Sequence, residues 1–400
     1  MKWEKVTIKD ICTGIYDGPH ATPPLSDTGA IFLGISNFNN GRLDFSDIRY
    51  ISEDDLPKWT KRVVPQKNDI VFSYEATLNL YAIIPEGFRG CLGRRMALLR
   101  VDETKAYYKF LYYYFYSDAW RATVNENIVL GATVDRIPLI KFPNFPVELP
   151  PLETQHRIAD ILSAYDDLIE NNQRQIKLLE EAAQRLYKEW FVDLRFPGHE
   201  NTKIVDGVPE GWQWCKVRDV ADINSSALPK NYKEDFIDYV DLGSVRCGHI
   251  ETRTRYNLNE APGRAKRCAK DGDIIWGMVR PNLKAYALVT NPKETDVFST
   301  GFAVLSAKKV PYSYLYCAVT QEEFVGYLVN ATNGAAYPAV KPVHFEVADI
   351  LKPDDKVLEQ FHSVADSIYR KKEALENENH NLRESRDLIL PKLMSGEVEV

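Results

Sequence analysis

The stretch that decides the fold of this chain is "PPLETQHRIADIL", residues 150–162, because a close variant of it returns as "KVLEQFHSVADSI" at residues 356–368. Each stretch begins a long run in which apolar residues recur at helical spacing. A repeat at about two hundred residues is domain-sized rather than solenoid-sized. It predicts two copies of one structural plan, each ending in a long helix.

Other segments repeat in the same order, which indicates a duplication rather than a chance match. "TKRVVPQKNDIVFSY" (60–74) resembles "AKRCAKDGDIIWG" (265–277). "LGATVDRIPLIKFPNFPVELPPLETQHRIAD" (130–160) resembles "NGAAYPAVKPVHFEVADILKPDDKVLEQFHSVAD" (333–366). Because the order is kept with only small gaps, we interpret the two halves as diverged copies.

The chain is long enough for more than one hydrophobic core, since 400 residues exceed the usual size of a domain. Short β-like runs punctuated by Gly, Pro and Asn fill two globular segments. We therefore expect an α+β fold with two similar mixed α/β domains and a pseudo-twofold internal repeat. The predicted boundaries are a first domain at 1–150, a first helix at 151–194, a linker at 195–211, a second domain at 212–352 and a second helix at 353–400.

Several runs inside the globular segments carry local predictions. "GCLGRRMALLRV" (90–101) is typical of one strand, and "YYKFLYYYFYSDAWRATV" (107–124) predicts one buried helix rich in aromatic residues. "SNFNNGR" (36–42) and "GSVRCGHIETRTR" (243–255) begin alike after strand-like runs. The last two runs therefore predict a matching loop in the two halves.

The first helical run has apolar residues at alternating steps of four and three, which is the pattern of a coiled coil. From Thr154 to Phe191 such a helix would be about 57 Å long. The second run keeps strict steps of seven, its alternate positions are more polar, and Pro391 is expected to end it. A helix with apolar residues along only one face needs a partner helix that buries this face. The long helix of the other half of the chain is the obvious candidate. The predicted seam residues are Ile158, Leu162, Tyr165, Ile169, Asn172, Ile176, Leu179, Leu186, Phe361, Ile368, Leu375, Leu382 and Ile389.

The composition excludes several classes of protein. Hydrophobic residues make up 44% of the chain, which is enough for packed cores and argues against disorder. The sequence has neither a long apolar run nor an apolar signal segment, so we expect a cytoplasmic protein with no membrane span. The six cysteines form no Cys-x-x-Cys pair, which favours reduced thiols over a zinc site or disulfides.

The net charge of -7 is unevenly distributed along the chain. Residues 1–150 carry 18 basic and 18 acidic side chains, and residues 212–350 carry 17 and 16. The acidity therefore lies in the helical segments, and the globular segments are close to neutral with local basic clusters. A nucleic-acid footprint needs only one positive face, so the overall charge does not exclude DNA as a partner.

The sequence contains no pattern of a catalytic or cofactor site. Phosphate-binding loops, dinucleotide loops and the Asn/Asp-Pro-Pro-Tyr/Phe motif of DNA amino-methyltransferases are absent. Glu103 and Lys105 have a nuclease-like spacing without the upstream Pro-Asp, and no His-x-x-x-His spacing occurs. His156 and His362 occupy equivalent places at the two helix starts, which favours helix initiation or packing over catalysis. We expect no catalytic residue, no metal and no cofactor, and two similar units without chemistry suit binding to a two-part target.

The whole chain resembles the specificity (S) subunit of type I restriction-modification systems. The resemblance is carried by "LGATVDRI", "LPPLETQHRIADILSAYDDLIENNQ", "LLEEAAQRLYKEWFVDL", "VPEGW" and "LRESRDLILPKLMSGEVEV", in this order. "YDGPHATPP" (16–24) also resembles a recurrent stretch of the family's target-recognition domains. Thr154 departs from the glutamate that the family commonly has there.

The resemblance implies a non-catalytic protein whose two target-recognition domains each read half of a bipartite, asymmetric double-stranded DNA site. The two helices would form an antiparallel coiled coil that sets the unread spacer. The implied partners are DNA, two methyltransferase (M) subunits and two endonuclease/translocase (R) subunits. S-adenosylmethionine, ATP and Mg would belong to those partners and not to this chain.

Candidate DNA contacts follow from physical chemistry, since Lys and Arg bind phosphates while Arg, Lys, Asn and Gln read base edges. The dipeptides Lys61-Arg62 and Lys266-Arg267 fall at matching places, so either they share a phosphate contact or they are solvated charges at a strand edge. Arg280, Asn282 and Lys284 lie on what is predicted to be an irregular turn. The full set of candidates is Lys58, Lys61, Arg62, Ser73, Tyr74, Asn79, His20, Arg253, Arg255, Arg264, Lys266, Arg267, Lys270, Arg280, Asn282 and Lys284.

Two other functions compete with sequence-specific DNA binding. A coiled-coil scaffold could use the same helices only to assemble protein partners, without its own sequence readout. A self-contained DNA methyltransferase or nuclease is opposed by the missing motifs.

Overall fold

The computed structural model describes residues 3–130, 134–332 and 338–400, and it divides into two compact units. The first unit comprises Met1–Asn171 and Asn379–Val400, and the second comprises Asn172–Glu378. Each unit combines one predicted globular domain with part of both predicted long helices. The repeated segments "LGATVDRI" and "NGAAYPAV" lie partly outside the described residues.

The globular part of the first unit is built on a four-stranded antiparallel sheet and a three-stranded mixed sheet. The four-stranded sheet has the order Cys12–Asp17, Met96–Val101, Ile70–Ser73, Tyr81–Ile83. The three-stranded sheet has the order Arg49–Ile51, Ala30–Leu33, Gly90–Leu92, and its last two strands are parallel. Two smaller pairs are Glu4–Thr7 with Pro146–Leu149 and Phe38–Asn39 with Arg42–Leu43.

Two of the local predictions for the first unit are wrong in detail. The run 107–124 forms two helices, Tyr108–Tyr114 and Asp118–Asn127, instead of one. Ser117 breaks the run because its backbone is extended and its hydroxyl accepts the Trp120 N–H, which caps the second helix. The run 90–101 is likewise not one strand but two strands separated by a turn. A further short helix spans Leu56–Trp59.

The globular part of the second unit repeats this plan. Its first four-stranded sheet has the order Ala221–Ile223, Phe302–Ala307, Ile274–Gly277, Tyr286–Leu288. Its mixed sheet has the order Thr254–Asn257, Phe236–Val240, Asp296–Ser299, Ala265–Arg267, and here the parallel pair is the central one. Smaller pairs are Gln213–Lys216 with Asp349–Lys352, Val245–Arg246 with His249–Ile250 and, inside the predicted linker, Ile204–Val205 with Val208–Pro209. The helices are Val217–Val220, Tyr312–Thr320, Glu322–Asn330 and Pro342–Glu346.

The backbone registers of the two units correspond, which confirms the predicted duplication. In the parallel pair of the first unit Leu33 lies opposite Leu92, and in the second unit Val240 lies opposite Phe298. The fold is therefore α+β with an internal repeat, as the sequence predicts.

The first long helix is Leu152–Tyr187, followed by a π-helical turn at Lys188–Val192, and the second long helix is Asp355–Ser395. In the first unit the start of the first helix and the end of the second share one core. In the second unit the end of the first helix and the start of the second share another. The two helices therefore run antiparallel. All thirteen predicted seam residues are buried or half-buried.

Pro391 does not end the second long helix, contrary to expectation. The helix continues for another turn to Ser395, because Leu393 and Met394 in that turn are buried in the core of the first unit. It stops at Gly396, which takes a left-handed conformation with φ +73° and donates its N–H to the Leu393 carbonyl. Among the described residues no helix is long and apolar enough to cross a membrane.

Candidate nucleic-acid interface

A surface cleft of the first unit brings together four of the predicted DNA contacts. We call it the His20 cleft; it is lined by Asp17, Gly18, Pro19, His20, Ala21, Lys58, Trp59, Lys61, Arg62, Val63 and Leu92. Lys58 belongs to the short helix Leu56–Trp59, whose Leu56 and Trp59 pack on the small core around Phe32. This packing fixes the helix, so the lysine and the basic dipeptide that follows it project at the surface.

Asp17 is the only acidic side chain that lines the His20 cleft among the described residues. Its carboxylate lies 2.5 Å from Arg62 Nη1 and 3.0 Å from His20 Nε2. Arg62 also donates to the Gly18 carbonyl at 3.1 Å, which anchors it to the loop. Lys58 and Lys61 are exposed and have no carboxylate partner in the described part of the chain. The cleft therefore offers two unpaired ammonium groups beside a fixed guanidinium, which suits a phosphate backbone.

A second cleft of the first unit contains arginines that sequence reasoning missed. We call it the Arg94 cleft; it is lined by Thr22, Phe32, Gly34, Ile35, Ser36, Arg49, Gly93, Arg94 and Arg95. It adjoins the His20 cleft along the chain, because Ala21 and Leu92 line the His20 cleft and the next residues, Thr22 and Gly93, line the Arg94 cleft. The arginine pair escapes prediction because residues 90–101 are typical of one strand. Two adjacent arginines inside an otherwise apolar run are the signal that could have revealed the turn.

The remaining candidates of the first unit are poorly placed for DNA contact. Ser73 has no exposed surface, and its hydroxyl donates to the Thr77 carbonyl, so we withdraw it as a DNA contact. Tyr74 is buried as well. Its pKa is raised, mainly by this burial and to a smaller extent by the nearby negative charge of Asp17. Asn79 is half-buried and accepts a long hydrogen bond of 3.5 Å from the Tyr81 hydroxyl. These three residues shape a loop instead of presenting free polar groups.

The two basic dipeptides, which match in sequence, differ in local structure. Lys61 and Arg62 lie in a bend after a helix, whereas Lys266 and Arg267 lie in the strand Ala265–Arg267 at the edge of its sheet. Lys266 is exposed, but Arg267 is half-buried and its Nε has no hydrogen-bond partner in the described structure. Three exposed cations of this region lack a carboxylate partner within the described ranges: Arg264, Lys266 and Lys270.

Arg255, in the strand Thr254–Asn257, and Arg253, just before that strand, are both engaged by carboxylates. Arg255 donates to both oxygens of Asp238 at 2.9 and 3.1 Å and lies 4.0 Å above the Phe236 ring. Arg253 lies 3.3 Å from the buried Asp296. The hydrogen bond from Arg255 lowers the pKa of Asp238. These arginines therefore balance buried charge within their sheet.

The predicted irregular turn of the second unit is a 3-10 turn at Pro281–Leu283 flanked by two left-handed residues. Arg280 has φ +50° and Lys284 has φ +54°. Arg280 and Asn282 are exposed, whereas Lys284 Nζ lies 2.5 Å from Glu322. The turn thus leaves one arginine and one amide available for a ligand.

The predicted matching loops are β-hairpins that dock on the long helices. In the first unit Arg42 donates to the Asp166 carbonyl at 2.9 Å and pairs with the Glu170 carboxylate. In the second unit His249 lies 2.8 Å from Glu376 and 3.3 Å from Glu180, on the two different helices. Each hairpin therefore ties its globular part to helical carboxylates.

A buried lysine completes the hairpin contact of the second unit. Lys372 lies 2.8 Å from Glu180 and donates to the Gly248 carbonyl at 2.8 Å. Hydrogen bonds to Glu180 and Glu376 raise the pKa of His249 to about 9, although burial and Lys372 oppose this. Burial raises the pKa of Glu180, but His249 and Lys372 more than offset this, so its pKa is lowered. The network is thus two cations against two carboxylates.

The two histidines at the helix starts make packing contacts. His156 stacks on Tyr107 at 3.9 Å between ring centroids, and His362 Nδ1 lies 2.9 Å from the Ser313 hydroxyl. Among the described residues neither arrangement combines a nucleophile with a base and an orienting carboxylate. In the described part of the chain no group of three or more His, Cys, Asp or Glu side chains could hold a metal ion.

Comparison with known proteins gives consistent similarities. A family model described as type I restriction modification DNA specificity domain matches residues 1–181. The type I restriction enzyme MjaIX specificity subunit of Methanocaldococcus jannaschii is 24% identical over 363 residues, covering 88% of this chain and 82% of that protein. The MjaVIII specificity subunit of the same organism is 25% identical over 357 residues, covering 85% and 81%. A crystal structure of a type I restriction-modification S subunit from M. genitalium matches the fold with a TM-score of 0.59 and 16% identity, covering 98% of this chain and 96% of that one.

Proposed function

We propose that this chain is a non-catalytic specificity subunit of a type I restriction-modification system, the family to which it is similar, and that it binds a bipartite, asymmetric site in double-stranded DNA. Each globular domain acts as a target-recognition domain that reads one half of the site. The long helices hold the two domains and set the length of the unread spacer.

The single observation that carries the DNA-binding proposal is the pair of adjoining basic clefts on the first unit. Lys58, Lys61 and Arg94 are exposed there without a carboxylate partner in the described ranges. Lys58 and Lys61 can neutralise phosphates and release counterions, which supplies most of the sequence-independent affinity for DNA, and Arg94 lies in the adjoining cleft. The near-neutral overall charge of residues 1–150 is compatible with this, because the positive charge is local.

The proposal includes protein partners that carry the chemistry. The chain directs two methyltransferase subunits and two endonuclease/translocase subunits to the site, and those subunits bind S-adenosylmethionine, ATP and Mg. The long helices support a protein-binding role, because apolar side chains are exposed on them outside the predicted seam. These side chains are Leu168, Leu178, Val364 and Leu388, which are 48%, 64%, 46% and 71% exposed.

A domain exchange tests the proposal directly. Residues 1–150 are replaced by the equivalent domain of another specificity subunit, and methylated sites are mapped in a methylation-free host that also expresses the methyltransferase subunit. We expect one half of the recognised site to change and the other half to stay. The matched control replaces residues 212–352 and is expected to change the opposite half.

Two results would contradict the proposal. If both half-sites change together, the domains do not read DNA independently. If neither half changes while the complex still assembles, the chain acts as a coiled-coil scaffold without sequence readout. The control exchange separates either result from a failure to fold.

A further inference from the structure

The turn Gly93–Arg95 lies where the chain passes from the mixed sheet to the four-stranded sheet of the first unit. Its backbone is tightly held. A Cβ on Gly93 would lie 2.3 Å from the Leu33 carbonyl oxygen, and Arg95 has φ +73° while its carbonyl accepts the Tyr74 N–H at 3.1 Å. A turn fixed in this way presents its central side chain at a defined position, so little ordering is required when a ligand binds.

Arg94, in the middle of the turn, is free to bind a ligand. Arg95 lies 3.0 Å from Glu75, and Arg49 lies over the Phe32 ring at 4.9 Å. Arg94 is exposed and has no ion-pair partner within residues 3–130, 134–332 and 338–400. The described lining contains hydroxyls of Thr22 and Ser36 but no carboxylate. The ligand of this cleft is therefore a group with two adjacent hydrogen-bond acceptors, which the planar guanidinium can contact at the same time, and the positive charge of the cleft favours it.

The corresponding turn of the second unit differs in side chain at the same backbone position. Leu92 lies opposite Leu33 in the first unit, and Phe298 lies opposite Val240 in the second, so Leu92 and Phe298 are equivalent. Two residues further along each chain segment, Arg94 corresponds to Thr300. The Thr300 N–H donates to the Arg264 carbonyl at 2.8 Å. Two domains that read different half-sites must differ where they touch base edges, whereas contacts to phosphate can be the same in both. The arginine of the first unit and the threonine of the second therefore meet this requirement for a base-reading position.

We propose that Arg94 reads a guanine in the half-site bound by the first unit, donating to O6 and N7 at its major-groove edge. This rests on the proposed DNA-binding function. The His20 cleft next to it holds the neighbouring phosphates through Lys58 and Lys61, and the fixed turn sets the distance between phosphate and base contacts. Arginine is the side chain that pairs with guanine in this bidentate way.

Selection from a library of random-sequence duplex DNA tests the proposal, with the full chain assembled with its methyltransferase subunits. Arg94→Thr introduces the residue type that the second unit has at the equivalent position, Thr300. Arg94→Lys keeps the positive charge but lacks the paired N–H donors of the guanidinium. For Arg94→Thr we expect preference for guanine at one position of one half-site to fall by about 5- to 150-fold. The other half-site and the salt dependence of binding are expected to stay unchanged. Arg94→Lys is expected to lose most of the preference while it keeps the affinity for random DNA.

Two outcomes would overturn the assignment of Arg94. The first is that Arg94→Thr retains every base preference. The second is that Arg94→Thr weakens binding to all sequences alike and lowers the log–log salt slope by about 0.9, as removal of one phosphate-neutralising cation does. Arg121→Thr, at an exposed arginine that lines neither cleft, is the control and should change nothing. If the exchange of residues 1–150 changes a half-site while Arg94→Thr does not, the DNA-binding function stands and only the role of Arg94 fails.

Discussion

The carboxylate of Asp166 on the first long helix lies 2.5 Å from the guanidinium of Arg386 on the second, and the Tyr113 hydroxyl donates to its other oxygen at 2.6 Å. The two charged side chains are only 11% and 23% exposed. Burial disfavours the charged form of Arg386, but the Asp166 carboxylate more than offsets this and raises the pKa of Arg386. One carboxylate thus joins both helices of the first unit to its globular part.

Replacing Asp166 by alanine is expected to destabilise the first unit, because the largely buried charge of Arg386 would keep only the exposed Asp387 as a carboxylate partner. The expected loss in the free energy of unfolding is about 2–3 kcal/mol, somewhat less than for a fully buried pair. Urea denaturation followed by circular dichroism measures it. Asp167→Ala, at the exposed neighbouring position, is the control and should cost less than about 0.5 kcal/mol. Equal effects of the two substitutions would mean that the pair contributes nothing.

The His249 network predicts a pH-dependent stability of the second unit. The folded-state pKa of His249, about 9, lies above the unfolded value of 6.5, so its contribution is complete below about pH 6.5 and is lost as the pH rises through about 9. Because the side chain is more than a third exposed, we expect a contribution of only about 1 kcal/mol.

His249→Gln should remove the His249 contribution. The free energy of unfolding, measured from about pH 6 to about pH 10, should then fall less steeply with pH in the variant than in the unmodified protein. His380→Gln alters an exposed histidine of the second long helix and serves as control. Parallel pH profiles for the His249 variant and the unmodified protein would show that the hairpin contact does not depend on the charge of His249.

Replacing both Lys61 and Arg62 by alanine is expected to weaken binding to all DNA sequences alike, because these residues are proposed to contact phosphates. The log–log dependence of affinity on salt should become flatter by about 0.9 for each phosphate that is no longer neutralised. Titration of duplex DNA at several salt concentrations measures both effects. Lys67→Ala removes a lysine that pairs with Glu86 and lines neither cleft, so its salt slope should stay unchanged. An unaltered slope in the double variant would assign the dipeptide a structural role.

Inserting seven residues into each long helix, after Asn171 and after Glu378, is expected to lengthen the unread spacer. Seven residues add about 10.5 Å of helix and keep the phase of the seam. This equals the length of about three base pairs, so mapped methylation sites should have a spacer longer by that amount. Four-residue insertions shift the seam and should instead impair assembly. An unchanged spacer in the seven-residue variant would rule out the helices as the element that sets its length.

Local patterns predicted the helices and the repeat well, and they failed where the chain turns. The seam residues recur at a fixed step because helix geometry is periodic, so their burial follows from sequence alone. Pro391 was misjudged because burial of Leu393 and Met394 outweighs the local preference of proline. Local pattern does not predict the turn Gly93–Arg95, because its left-handed residue is an arginine instead of a glycine and contacts remote in sequence, such as that of the Tyr74 N–H with the Arg95 carbonyl, hold it.

The candidate site was predictable in residue type but not in which cations are free. Arg253 and Arg255 are as basic in sequence as Lys61, yet carboxylates from neighbouring strands engage both arginines and none engages Lys61 in the described structure. Ser73 ends the strand Ile70–Ser73, but its side chain is buried and its hydroxyl donates to the Thr77 carbonyl. Availability for a ligand depends on partners that are remote in sequence.

The sequence by itself determined the duplication, the two long helices with their seam and the absence of catalytic motifs, because each is expressed in the order and spacing of residues along the chain. The tertiary structure decided which cations converge. His20 meets Lys58 and Lys61 across about forty residues of sequence because a sheet and a short helix bring them to one cleft. It also turned both matching hairpins toward the helices, where charged side chains that are costly to bury find their partners.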